Sequence, residues 1–197
     1  MANTSATGGP LAPAVASPPI EDDALDDLLR VLVAGVTGLS GSMVRSLWQP
    51  ADAEPPGPDT DWCAMGITAQ TNDAAPVIRH DPAGDGSDIY IRHQDLDVLC
   101  SFYGPGAKGN AQRLADGMAI PQNSEQLGVH DAKFISVSDI RPAQDFVNQQ
   151  GVRRYDMTLN LRRKITRTYP VLNLLSAEVQ YTTDSVPPVA GTTIIDQ

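Results

Sequence analysis

The stretch EDDALDDLLRVLVAGVTGLSGSMVRSL, residues 21–47, decides how the rest of the chain is read. Leu25, Leu28, Leu29, Leu32, Val33 and Val36 recur at i, i+3, i+4, i+7, i+8 and i+11, the spacing of one face of an α-helix. Glu21, Asp22 and Asp23 fall in its first turn, where the helix dipole favours negative charge. Gly35 and Gly38 sit where the helix should end. Met43 to Trp48 then reads as a short strand, closed by Pro50 and the irregular loop ADAEPPGPDT, residues 51–60.

Within that stretch Gly35, Gly38 and Gly41 have GxxGxxG spacing, and RVLVAGVTGLSGSMVRSL, residues 30–47, resembles the opening of an extended short-chain dehydrogenase. The resemblance implies an NAD(P)-binding oxidoreductase, with a pyrophosphate against a helix N-terminus. Three features oppose it. The strand it needs, Arg30–Ala34, lies inside the helical period that starts at Leu25. Pro50 cuts off the helix it needs after about two turns. No βαβ alternation follows, with no acid placed for a ribose and no Tyr-x-x-x-Lys pair. The glycines read instead as a helix end and a turn into the first strand, with no cofactor bound.

Outward from this segment, Trp62 to Thr71 and Pro76 to His80 read as strands, and Asp81 to Asp88 as a turn with Asp85-Gly86 at its tip. Ile89 to Tyr103 reads as a long strand in which Leu96, Val98, Cys100 and Phe102 share a face. Gly104-Pro105-Gly106 ends it, and a helix follows with Ala111, Leu114, Ala115 and Met118 on one side. Pro121 stops that helix, and Gln122 to Leu127 allow another turn or two. Phe134 to Val137 is a short strand. Val152 to Arg167 is the clearest strand of all, with Tyr155, Met157, Leu159 and Leu161 on one face and Asp156, Thr158, Asn160 and Arg162 on the other. After Pro170, Val171 to Leu175 and Ala177 to Tyr181 allow a return strand. The sum is an α+β fold, with a mainly antiparallel sheet packed with two or three helices and extended N- and C-terminal arms. Residues 1–20, small and Pro-rich, read as disordered or as an arm ordered by a partner. Residues 21–181 form the domain, and residues 182–197, with Pro187-Pro188, read as an extended C-terminal arm.

A net charge of −10 on 197 residues opposes binding of free nucleic acid by the chain as a whole. Charge is segregated, however: six of the 14 Lys and Arg lie between Arg153 and Arg167, and five acids lie between Glu21 and Asp27. Cys63 and Cys100 have no disulfide or zinc spacing and read as buried thiols. His80, His93 and His130 lack metal spacing, and Asp81, Asp85 and Asp88 lack the closing Glu of a calcium loop. No nucleophile motif is present, so no catalytic or metal-binding residue is assigned. Residues 1–20 lack the pattern of an export signal, and the apolar run Leu28–Leu39 is too short to span a bilayer. These readings place the protein in a reducing cytoplasm, away from membranes.

The segregated charges are the candidate contact residues. Arg153, Arg154, Arg162, Arg163, Lys164 and Arg167 form a basic strand, and Asp22, Asp23 and Asp26 an acidic helix start. Arg162 and Arg163 point to opposite faces, so one of them faces the side of Leu159 and Leu161. A buried unpaired Arg is costly, which predicts a strand that runs past the core and projects. Such a strand serves either as a contact with a neighbouring subunit or as a charged sheet edge that resists aggregation.

The segments VTGLSG, VRSLWQP, DWCAMGI, RHQDLDVLCSFYGPGA and RRYDMTLNLRRKITRTYPVLN, in that order, resemble the neck and tail terminator proteins of long-tailed bacteriophages. The break after Phe102-Tyr103, the small-residue helix and the long basic strand carry the likeness, over residues 22–181. The resemblance implies a virion structural protein without enzymatic activity, assembled in the host cytoplasm as a ring, usually a hexamer. Such a ring caps the tail tube, meets the head–tail connector protein and, in contractile tails, meets the tail sheath. A stand-alone protein-binding module outside any virion is a further alternative.

Overall fold

The computed structural model describes residues 3–14, 19–48, 54–147, 150–184 and 190–196. Pro50, the start of the loop after it and Pro187-Pro188 lie outside the described residues. The chain divides into two compact units, one of Pro18–Val77 and Ile91–Thr166, the other of Met1–Ser17, Ile78–Tyr90 and Arg167–Gln197. In chain order the elements are α1 (Asp22–Thr37), a 3-10 turn (Gly41–Met43), β1 (Val44–Ser46), β2 (Trp62–Asn72), β3 (Val77–Asp81), β4 (Ser87–Tyr103), α2 (Ala107–Met118), α3 (Pro121–Gly128), β5 (Ala132–Val137), β6 (Arg141–Val147), β7 (Gln150–Tyr169), β8 (Ser176–Thr182) and β9 (Ala190–Asp196). The fold is α+β with a mostly antiparallel sheet, as the sequence predicts.

The main sheet has the order β1-β2-β4-β7-β5, with β3 paired to β4 and β6 paired to β7. β1 runs parallel to β2, whereas β2 and β4, β5 and β7, and β6 and β7 are antiparallel. The two periodicities read from the sequence meet in one core. Cys63 and Met65 of β2, Leu96, Val98, Cys100 and Phe102 of β4, and Met157, Leu159 and Leu161 of β7 pack against Leu25, Leu29, Leu32 and Val33 of α1. Ala111, Leu114 and Met118 of α2 and Leu127 of α3 complete it. Each large aliphatic side chain buried here stabilises the fold by about 1.5–3 kcal/mol relative to exposure. Both cysteines are free and buried, and burial first, then Cys100 beside it, pushes the Cys63 thiol well up.

The helix α1 runs unbroken through Arg30–Thr37, so the strand that a dinucleotide-binding motif requires is not formed. Of the two glycines expected at the helix end, Gly35 lies inside the helix, about one turn before it stops. Gly38 ends it, at φ 76°, and its N–H donates to the Ala34 carbonyl at 2.9 Å. Gly117 of α2 faces Val36 of α1 so closely that a Cβ there would collide with the Val36 side chain, which fixes the separation of the two helices. The break after β4 is also specific. Asp61 accepts the Gly106 N–H at 2.7 Å, placing a carboxylate at the N-terminus of α2, which has no side-chain cap of its own.

The second unit is built differently. Residues 5 and 14 donate backbone hydrogen bonds to Pro170 and Thr168, and Leu172 donates to the Ser5 hydroxyl, so the N-terminal segment lies along the end of β7. Asn173 holds the turn before β4 by donating to the Pro82 and Gly84 carbonyls, and His80 bridges Asp88 and Asn173. Of the return strand expected after Pro170, only the second part forms, as β8 from Ser176 to Thr182. β8 and β9 form a separate two-stranded sheet. Among the described residues of this unit, none is buried.

Candidate assembly surface

The candidate contact residues can now be placed one by one, all in the larger unit except Arg167. On the face of the main sheet opposite the helices, Trp62 and Tyr103 stack with ring centroids 4.3 Å apart, beside Ala64 and Val152. Arg154 grips Asp156 with two hydrogen bonds, of 2.8 and 2.9 Å, and reaches Asp145 and the Ser101 hydroxyl, both at 3.2 Å. Its guanidinium carbon lies 5.6 Å from the Tyr103 ring centroid. Burial alone would lower the proton affinity of Arg154, but Asp156, Tyr103 and Asp145 outweigh it and hold the guanidinium above its ordinary value. Burial pushes the Tyr103 hydroxyl up to about 12, against the opposing pull of Arg154.

Further along the same face Arg162 pairs with Asp95 at 2.8 Å and Asp73 at 2.9 Å, and Asn160 donates to Asp97 at 2.7 Å. Asp95 and then Asp73 raise the proton affinity of Arg162. Along β7 the residues 154, 160 and 162 meet 101, 97 and 95 of β4, so the numbers run oppositely, as in antiparallel neighbours.

Arg163 departs from expectation. The strand does not project there; the side chain is only 4% exposed and turns toward the helix face. It is tolerated because its donors are satisfied: Nε donates to Gln94 at 2.9 Å and Nη1 to the Ile20 carbonyl at 2.7 Å, with Glu21 at 4.0 Å. Gln94 in turn donates to Asn72 at 2.7 Å. The basic strand and the acidic helix start, read as separate patches, therefore meet inside one chain at Arg163 and Glu21.

Lys164 pairs with Asp131 at 3.0 Å, and Arg167 is half-buried. Arg153 is exposed and donates to the Pro105 carbonyl at 3.2 Å. Asp22 and Asp23 are exposed at the start of α1. Asp26 is held above the usual carboxylate range by partial burial first, then by Asp23, Asp27 and Asp22. Trp48, 70% exposed, lines a groove with Asp23, Asp26 and Arg30. Sequence reasoning missed Trp48 and Phe146 as surface residues; both are large and apolar, which by itself signals burial.

Among the described residues no group of three or more His, Cys, Asp or Glu side chains could hold a metal ion. No helix among them is long and apolar enough to cross a membrane. The larger unit is thus a helix-backed sheet whose other face carries paired charges. The chain belongs to the phage neck terminator protein family, whose model matches residues 23–185. The family is one of structural proteins of the virion tail and neck, and its members meet other tail and head proteins. No match is found among curated proteins.

Proposed function

We propose that the protein is a tail terminator, a ring subunit that caps the finished tail tube and joins the tail to the head connector. The family match over residues 23–185 carries this reading. The ring is a hexamer assembled in the host cytoplasm, and in a contractile tail it also meets the last sheath ring. The protein works by geometry, without catalysis or a cofactor. A closed ring needs heterologous contacts, one patch of each copy meeting a different patch of the next.

Of the nominated residues, those with charge left to offer a neighbour are the ones that carry contacts in this reading. Arg154, Arg162, Arg163 and Lys164 are paired with acids of their own chain. Arg153, Asp22 and Asp23 are exposed, and Asp26 is crowded by like charges, a cost that a basic partner surface would relieve. Arg167 stays with the basic strand as a contact candidate. The terminal arms extend the contact area.

The test is electron microscopy of phage particles made without this protein, complemented by the wild-type chain in trans. Heads and tails that accumulate unjoined, with tubes of uneven length, are the expected result. Normal virions, or a position for the protein away from the head-proximal tail end, would overturn the proposal.

A further inference from the structure

His80 sits between two acceptors inside the smaller unit. Its Nδ1 lies 2.8 Å from Asp88 Oδ1 and its Nε2 lies 2.9 Å from Asn173 Oδ1. Which atom of the Asn173 amide faces the ring is fixed by its other bonds. Asn173 Nδ2 donates to the Pro82 and Gly84 carbonyls, each at 3.1 Å. Turning the amide over would set its oxygen against two carbonyl oxygens, so Oδ1 stays toward His80. A carboxylate and an amide oxygen both accept, so both ring nitrogens must donate. Only the imidazolium carries two N–H groups. The neutral ring has one, and leaves a lone pair facing either Asp88 or Asn173.

The charges around the ring favour the imidazolium. Asp88 comes from β4, and Asp81 follows His80 on β3, where it accepts the Ala83 N–H at 3.1 Å. Arg79 precedes His80 on the strand and points to the other face. No Lys or Arg follows Arg167, and residues 3–14 of the N-terminal segment carry no charge. The Asp88 bond first, then the Asn173 bond, hold the proton affinity of His80 above its ordinary value, against a smaller effect of burial.

What the ring holds is the segment that joins β7 to β8. The Asn173 N–H donates to the Asp85 carbonyl at 2.9 Å. Gly86, at φ 94°, lies so close that a Cβ there would collide with the Asn173 nitrogen and side chain. The next two residues, Leu174 and Leu175, are 69% and 72% exposed. At this point, therefore, the segment is held by hydrogen bonds rather than by burial.

We infer that His80 is a pH-sensitive latch, whose imidazolium ties Asn173 and the segment entering β8 to the turn between β3 and β4, and which releases Asn173 when the ring loses a proton. The carboxylate keeps the remaining proton, because a charged acceptor makes the stronger bond, and Nε2 is left bare toward Asn173 Oδ1. The folded protein holds the proton more tightly than the unfolded chain. The latch is therefore closed below the ordinary histidine value of about 6.5 and opens as pH rises through the higher folded value. The latch lies within one unit and is independent of the terminator reading.

The experiment uses the full chain with 15N-labelled histidine and asparagine, followed by NMR from about pH 5 to 9, the range in which histidine titrates. His80→Ala assigns the His80 signals. The His80 midpoint is expected above about 6.5, and lower in Asn173→Ala and in Asp88→Asn. Above the midpoint the ring nitrogen shifts should show the proton on Nδ1. Water exchange of the Asn173 backbone N–H should rise through the midpoint by roughly 3-fold or more beyond its intrinsic base-catalysed increase. In His80→Ala, at unchanged far-UV circular dichroism, that exchange should be fast throughout and show no step. A midpoint at or below about 6.5, a midpoint unmoved by Asn173→Ala, or a neutral ring with its proton on Nε2 would each overturn the latch. So would Asn173 exchange without a step, or a step that survives in His80→Ala. Should His80→Ala misfold, the wild-type exchange and the Asn173→Ala midpoint decide the same question.

Discussion

Replacing Arg163 by Ala tests the interior most sharply. The side chain is 4% exposed and donates two hydrogen bonds, to Gln94 Oε1 and to the Ile20 carbonyl. Truncation leaves both acceptors without their donor and opens space beside the start of α1. Hydrogen bonds from a charged donor contribute about 1.5–3 kcal/mol each, and breaking a buried ionic contact typically costs about 3–5 kcal/mol. With a urea m-value of about 2 kcal/mol/M, the unfolding midpoint should fall by about 1.5–2.5 M. Arg162→Ala is the control one position away: its pairs with Asp95 and Asp73 are solvent-screened, so the midpoint should move much less than for Arg163→Ala. Arg163→Lys should fall between, because one ammonium cannot reproduce the planar fork that spans both acceptors. The measurement is urea unfolding followed by circular dichroism at fixed protein concentration. Equal midpoint losses for Arg162→Ala and Arg163→Ala, or a loss under about 0.5 M for the latter, would refute the assignment of Arg163 as the clasp between β7 and the start of α1.

Three further outcomes are expected. Gly117→Leu should force α1 and α2 apart at Val36 and destabilise the chain by about 1–3 kcal/mol or more, whereas Gly109→Ala, with open space at its Cβ, should be neutral or slightly stabilising in thermal melts. In an ultraviolet titration Tyr103 should ionise near 12, a step that Tyr103→Phe should remove. Because its folded value lies above the unfolded value of about 10, the folded state holds the proton more tightly, and stability should fall as pH rises between those values. Asp26→Asn should raise stability by about 0.5 kcal/mol at pH 7 through relief of repulsion from Asp23, Asp27 and Asp22. Its folded-state proton affinity is raised, so that gain should shrink in urea titrations as pH falls through the carboxylate range and the wild-type residue takes up its proton.

The layered core was legible because its two halves carry strong, different periods. Leu25 to Val36 could only be one helix face, and the alternations Leu96–Phe102 and Tyr155–Leu161 could only be half-buried strands. The glycine run was read as the end of the first helix: Gly38 does end α1, whereas Gly35 lies inside it, where open space around its Cβ position gives no packing reason for a glycine. The strand β6 was not read. RPAQDFV carries a proline and two charges, which is what an edge strand tolerates and a pattern search rejects. β9 escaped for a related reason: GTTIID has no clean alternation, and its pairing partner lies across a segment containing Pro187-Pro188.

The candidate contacts were the least legible part. Spacing in sequence shows that Arg162 and Arg163 face opposite ways, but what each one meets lies 67 to 143 positions away, in Asp95, Asp73, Gln94 and Ile20. Whether a charged residue is spent inside the fold or offered to a neighbour is decided by those distant partners. The sequence pattern is the same in both cases.

The long reach of the Arg163 contacts bears on how the chain is made. The apolar face of α1 is complete once residue 37 is synthesised, yet part of its cover, Met157, Leu159 and Leu161, arrives more than a hundred residues later. At about 5–20 residues per second, the helix waits roughly 6–25 s for its last strand. During that interval Leu25, Leu29 and Leu32 are uncovered on a nascent chain that carries Asp22, Asp23, Asp26 and Asp27 beside them. The same acids that burden the finished helix would keep neighbouring nascent chains on a polysome apart, delaying self-association until each subunit has closed its own core.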